Sequence, residues 1–250
     1  MPKALLICRE ENFSWMSPLG ILHPLDLRIL GKTLAERWAL YLRSQGIDEV
    51  RIMTDTPWDP KGIWEKDQVR TFPRAQALPL VLASQKIFWE KSECLILQAP
   101  VLLNPACQTK LQPEGHSMEP LLLYRSKAQA LDLGPWRPLT SASHFYIASL
   151  EILEKERPTS LTPLPTEGKP PVFFDENVHY KDGEFGPFTV MGPGTRVGKG
   201  AQIKSTVIYG QVALGDRVEF REKLILGTTV ITPGTENKSL ITDPKIIKAL

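Results

Sequence analysis

The stretch VGKGAQIKSTVIYGQVA (197–213) is followed directly by LGDRVEFREKLILGTTV (214–230), and the likeness of the two decides the fold of the second half of the chain. Val197 aligns with Leu214, Ile203 with Phe220, Val207 with Leu224 and Ile208 with Ile225. Gly198 and Gly210 align with Gly215 and Gly227, and every pair is separated by seventeen residues. Within one unit the apolar positions Val197, Ile203, Ile208 and Leu214 step by six, five and six. A period near six suits neither a helix nor a hairpin strand. It suits a triangular coil with one inward residue per side and glycines at corners, where a positive φ is tolerated. Such coils bury their sides only by stacking, so the period predicts a solenoid. Met191 lies seventeen residues before Ile208 and carries the pattern back one coil. Two unrelated hairpins with coinciding glycines account for the register less well.

Coils of this kind are similar to those of left-handed parallel β-helix proteins with hexapeptide repeats. The expectation is a short left-handed β-helix, its repeat running from Phe188 to Pro233, in a domain over residues 172–235 with a tail over 236–250. A stack of about three coils is too short for the acyltransferase sites that long β-helices build. No histidine follows His179 to serve there as a base. A short stack implies packing and oligomerisation instead. Residues 156–171 carry Pro158, Pro163, Pro165, Pro170 and Pro171 and read as an extended linker or a surface crossing.

The first 155 residues alternate strand and helix. KALLIC (3–8) is a continuous apolar run, as in a buried parallel strand. Thr33 and Glu36 form a capping box for a helix over 33–45, with Leu34, Trp38 and Leu42 on one face and Gly46 at its end. Strands are expected at 49–54, 94–98, 121–125 and 145–148, and helices at 78–90 and 150–155. This order predicts an α/β, mainly parallel sheet, Rossmann-like, followed by the β-helix.

Composition agrees with a soluble globular chain. Of 250 residues, 42% are hydrophobic and 23% charged, and the net charge of +2 leaves no basic stripe for nucleic acid. The run 4–8 is too short for a signal or membrane segment, so a cytoplasmic protein without a membrane partner is expected. Cys8, Cys94 and Cys107 have no CxxC spacing; Cys8 and Cys94 sit in apolar runs and read as buried thiols. Trp38 reads as core. Trp58, Trp64, Trp89 and Trp136 stand beside Pro, Lys or Glu and read as partly exposed. His116 and His144 lack a second ligand at metal spacing. Gly192-Pro193-Gly194 is a turn, since no helix follows it.

PLGILHPLDLRILGKTLAERWALYLRSQGIDEVRIMTD (18–55) resembles the start of a sugar-phosphate nucleotidyltransferase, an NDP-sugar pyrophosphorylase. Gly31-Lys32 and Gly46-Ile47-Asp48-Glu49 match motifs of that family. Residues 78–105 follow the outline of its helix and metal-binding strand, and 141–155 that of its late strand and helix. Several members carry a C-terminal left-handed β-helix. The resemblance implies a nucleotidyltransferase-like domain over residues 1–155. It also implies a reaction in which a nucleoside triphosphate and a sugar 1-phosphate release pyrophosphate. That chemistry needs a backbone cradle for phosphates, a cation and a carboxylate-held divalent metal.

The positions that carry this chemistry in the family are replaced here. Its two loop glycines fall on Glu11 and Phe13, and its loop arginine on Trp15. Its metal-binding aspartate falls on Pro100, and its second has no counterpart between Leu153 and Val172. Asp175 is the nearest acid; Glu154, Glu156 and Glu167 read as solvated. The late-strand glycine falls near His144. The phosphate-binding lysine falls on His23, with Asp26 and Arg28 as neighbouring alternatives. These three are the candidate nucleotide- or phosphate-binding residues; no catalytic and no metal-binding residue is assigned.

The leading reading is therefore a pseudoenzyme, a regulatory or assembly subunit in sugar-nucleotide metabolism. It would need no cofactor and would form homo- or hetero-oligomers through the β-helix, with a catalytic relative as one partner and a sugar nucleotide as one ligand. The alternative is a diverged but active nucleotidyltransferase, or a sugar-nucleotide binder, that reuses His23, Asp26 and Arg28. In that case Mg2+ is required and Arg28→Ala abolishes activity. Whether the chain is an enzyme turns on that choice.

Overall fold

A computed structural model describes residues 3–20, 22–89, 94–98, 101–103, 136–165, 168–235 and 237–250. Pro100, Cys107, His116, Glu167 and the expected strand at 121–125 lie outside the described residues, as do the side chains of Trp89 and Trp136. The chain divides into two compact units. One comprises Met1–Ser14, His23–Leu27 and Thr33–Thr140; the other comprises Trp15–Leu22, Arg28–Lys32 and Ser141–Leu250. The expected boundary at 155/156 therefore does not follow the packing. The second unit begins at Ser141 and also takes in two short segments from the first thirty-two residues.

The first unit is built on a parallel sheet. Its strands stand in the order Val69–Thr71, Glu49–Thr54, Lys3–Cys8, Cys94–Gln98. Leu5 lies beside Arg51 on one side and Ile96 on the other. Three of the four strands sit where the apolar runs put them. Val69–Thr71 was not anticipated, because Val-Arg-Thr has too little apolar content to stand out. Leu5, Ile7, Met53, Phe72, Val81, Phe88 and Cys94 form a core cluster. Helix Leu34–Ser44 begins at Thr33. The Glu36 amide donates to Thr33 Oγ1 at 3.1 Å, and the Thr33 amide donates to Glu36 Oε2 at 2.6 Å. It buries Leu34, Trp38 and Leu42. Gly46 follows with φ of 68°, which only glycine adopts without strain. The helix expected over 78–90 is two pieces, Leu78–Ser84 and Lys86–Trp89. Trp64 is buried, contrary to the expectation of partial exposure.

The second unit is a stack of short strands that run round three sheets in turn. In one sheet Val172–Phe174, Thr189–Met191, Thr206–Tyr209 and Leu224–Leu226 pair in parallel. In the next, His179–Tyr180, Arg196–Val197 and Val212–Leu214 do so. In the third, the strands are Gly183–Phe185, Ala201–Lys204 and Glu219–Arg221. The ladder pairs are those of the sequence repeat: Val197 with Leu214, Ile203 with Phe220, Val207 with Leu224, and Met191 with Ile208 with Ile225. The inward residues form one core, including Phe174, Phe185, Met191, Val197, Ile203, Ile208, Leu214 and Ile225.

One expectation for this half is corrected, and two segments gain detail. Residues 145–148 are not a strand. They lie inside helix Ala142–Glu156, which Ser141 caps through a 3.1 Å bond from the His144 amide. Phe145, Ser149 and Ile152 are buried at helical spacing, and this outweighed the local β propensity of Phe-Tyr-Ile. The C-terminal tail carries two strands. Asn237–Leu240 pairs antiparallel with Thr229–Thr232, and Ile247–Ala249 with Val212–Leu214. The proline-rich stretch bonds to the first coil. The Leu161 amide donates to the Phe174 carbonyl at 2.8 Å, and the Lys169 amide to that of Phe185 at 2.8 Å.

Candidate functional site

In a parallel sheet, ligands bind beyond the carboxyl ends of the strands, at the point where the strand order reverses. Here that point is the carboxyl end of Lys3–Cys8, which has Glu49–Thr54 on one side and Cys94–Gln98 on the other. A phosphate cradle would require glycines with positive φ in the following loop. Instead residues Glu10–Leu19 form a 3-10 helix, kinked at Phe13, and the first positive φ comes at Gly20. The Asn12 amide donates to the Arg9 carbonyl at 3.1 Å, so it is already engaged.

Charged side chains at this edge pair with one another, while Arg9 Nε, Thr54 Oγ1 and Thr56 Oγ1 are buried without a hydrogen-bond partner among the described residues. Arg9 donates to the Gln76 carbonyl at 2.7 Å and to Glu11 at 3.4 Å, and its guanidinium lies 5.4 Å from the Phe72 ring centre. Arg74 bonds to Glu10 and lies 3.8 Å from Asp55. Asp55 accepts from the Glu10 amide at 3.0 Å. Burial pushes the Asp55 carboxyl above its ordinary pKa, and the charge of Arg9 partly opposes the shift. The two cations of the edge are thus held by acids of the same chain, and Glu10 and Glu11 add negative charge where a triphosphate would need positive. The sequence reading missed Asp55 and Arg74. The signal for Asp55 was its place immediately after the strand Glu49–Thr54; Arg74 had none.

Phe13 and Trp15 are interior. Phe13 is 2% exposed and Trp15 5%. Trp15 belongs to the second unit, where its ring stacks on Phe145 at 5.3 Å; Phe145 meets Tyr209 edge-on at 5.8 Å. His144 caps onto Ser141 in the same helix.

The three candidate ligand residues fall into two groups. His23 and Asp26 share Trp58: the His23 ring stacks on it at 5.8 Å, and Trp58 Nε1 donates to Asp26 at 3.2 Å. His23 Nδ1 accepts from the Leu25 amide at 3.2 Å. Burial lowers its pKa to about 4, so at neutral pH it carries no charge for a phosphate. Lys61 pairs with Asp26 at 3.3 Å. Arg28 lies in the second unit. It reaches Glu176 at 3.4 Å, Asp175 at 3.8 Å and the Gly31 carbonyl at 3.0 Å, while its amide donates to the Tyr209 hydroxyl at 2.8 Å. Asp175 is buried, and desolvation raises its pKa despite Arg28. All three residues are thus engaged in holding local structure.

Among the described residues no group of three or more His, Cys, Asp or Glu side chains could hold a metal ion. Among them, too, no helix is long and apolar enough to cross a membrane. Cys8 and Cys94 are buried, and desolvation raises both thiols, Cys94 to about 11. Comparison with models of known protein families gave no match, and comparison with curated proteins gave no significant one.

Proposed function

We propose that this chain is a nucleotidyltransferase-like protein that lacks pyrophosphorylase catalysis and acts as a regulatory or assembly subunit in sugar-nucleotide metabolism. We further propose that its stacked coils are a left-handed parallel β-helix of the hexapeptide kind. The observation that carries the functional reading is the segment after the first strand. It is a 3-10 helix with Phe13 and Trp15 in the interior and Glu10 and Glu11 at its start, where the reaction would require glycines and an arginine. The self-paired edge of Arg9, Glu10, Asp55 and Arg74 supports the same reading. The seventeen-residue ladder, with inward residues stacked in register from coil to coil, supports the β-helix.

Isothermal titration of the full chain tests the proposal, first with nucleoside triphosphate plus magnesium and then with a panel of sugar nucleotides. The expected result is no metal-dependent triphosphate binding. Micromolar binding that requires magnesium, or pyrophosphate release with any sugar 1-phosphate, overturns it.

A further inference from the structure

The three outer faces of the coil stack differ in character. On the sheet that begins at Val172–Phe174, the residues Phe173, Val207, Tyr209, Leu224 and Leu226 are buried. Helix Ala142–Glu156 covers that face, with Phe145 on Tyr209 and the Tyr146 hydroxyl donating to the Ser205 carbonyl at 2.7 Å. The chain thus uses its one apolar outer face internally. The other two faces are polar.

On the second sheet the register places His179, Arg196, Ala213 and Lys248 side by side, all pointing away from Tyr180 and the core residues Val197, Leu214 and Ile247. Arg196 and Lys248 are exposed. On the third sheet the register places Glu184, Gln202 and Glu219 side by side, all exposed, opposite in direction to the inward Phe185, Ile203 and Phe220. Glu184 also meets Lys204 at 3.3 Å. From Arg196 onward the first row therefore reads cation, small, cation, and the second reads anion, amide, anion. Both advance by one strand spacing per residue, about 4.8 Å. Setting Arg196 against Glu184 of another copy also sets Lys248 against Glu219 and leaves Ala213 facing the long Gln202. The segments Arg196–Ala213–Lys248 and Glu184–Gln202–Glu219 each read the same in either direction, so these segments match in parallel or antiparallel copies, and His179 extends the first row by one strand.

We infer that the Arg196–Ala213–Lys248 row docks onto the Glu184–Gln202–Glu219 row of a second copy of this chain. This rests on the reading of the chain as an assembly subunit and names the surfaces of that assembly. The contact is heterologous, since different faces of the two copies meet. Complementary charge fixes its register and makes it sensitive to salt. A polyanion fits less well: the basic row is interrupted by Ala213, and its complement already exists on the same molecule.

Sedimentation velocity on the full chain provides the test. The wild type should associate at low ionic strength and dissociate as salt is raised. The pair Arg196→Glu with Lys248→Glu should be monomeric, as should the pair Glu184→Arg with Glu219→Arg. Mixing the two variants should restore association, because each then offers the other a complementary row. Circular dichroism confirms that both are folded. A wild type that stays monomeric at all concentrations overturns the inference. So does a folded variant that associates like wild type, or a mixture of folded variants that stays monomeric. None of these outcomes bears on triphosphate binding, so the titration of the functional reading fails or succeeds separately.

Discussion

The ring of Trp15 lies against that of Phe145, with centroids 5.3 Å apart and planes inclined by 29°. A residue from the loop after the first strand is thereby built into the core of the coil-bearing unit. Trp15→Ala should lower stability by about 3–5 kcal/mol, the usual range for removing a buried aromatic. Urea denaturation measures this. A loss below about 1 kcal/mol would mean that Trp15 is not an anchor.

Arg28 is held between Asp175, Glu176 and the Gly31 carbonyl. Arg28→Ala leaves Asp175 buried without its cation, and should destabilise the chain by about 1–3 kcal/mol. Most of that comes from Asp175, because Glu176 is exposed and such pairs contribute little. Arg28→Lys should recover only part, since an ammonium lacks the planar fork. Equilibrium unfolding of the three proteins gives the order.

His23 has a pKa lowered to about 4 from 6.5. The folded protein keeps the imidazole neutral, so on acidification the unfolded chain takes up a proton first. The contribution of His23 is then fully present above pH 6.5 and is lost as pH falls toward 4. It amounts to at most about 3 kcal/mol. Replacing His23 by Gln should flatten the stability–pH curve in that window relative to wild type, and a proton NMR titration of His23 should show no protonation at pH 6. A midpoint near 6.5 would contradict the packing on Trp58.

Gly215 sits where a Cβ would overlap the Lys245 carbonyl. Its amide donates to the Ile246 carbonyl at 2.9 Å. Gly215→Ala should push the strand Ile247–Ala249 off Val212–Leu214, at about 1–3 kcal/mol. Hydrogen exchange should show the amides of 247–249 losing protection before those of the inner coils. Uniform protection would mean that the last strand is not held at this point.

Much of the architecture was legible in order of sequence. Lys3–Cys8, Glu49–Thr54 and Cys94–Gln98 are apolar runs, and buried parallel strands have that pattern. The cap of the Thr33 helix needed only Thr33 and Glu36. Helix Ala142–Glu156 was misread because Phe-Tyr-Ile favours a strand locally, and only its packing on the coil decides otherwise. The site was half legible. That the segment after the first strand carries Glu11 and Phe13 rather than glycines could be read directly, whereas the pairing of Arg74 with Glu10 joins residues 64 positions apart.

The seventeen-residue spacing determined the ladder of the coils without help, because each inward residue must stack on its equivalent in the next turn. Tertiary structure alone decided what the coils do with their outer faces. One is covered by the chain's own helix, and two remain polar and exposed. It also decided that His23, Asp26 and Arg28 serve packing and ion pairs. The physical reason is one of range: a repeat is written in neighbouring residues, but the burial and charge partners of a side chain come from wherever the fold brings the chain back.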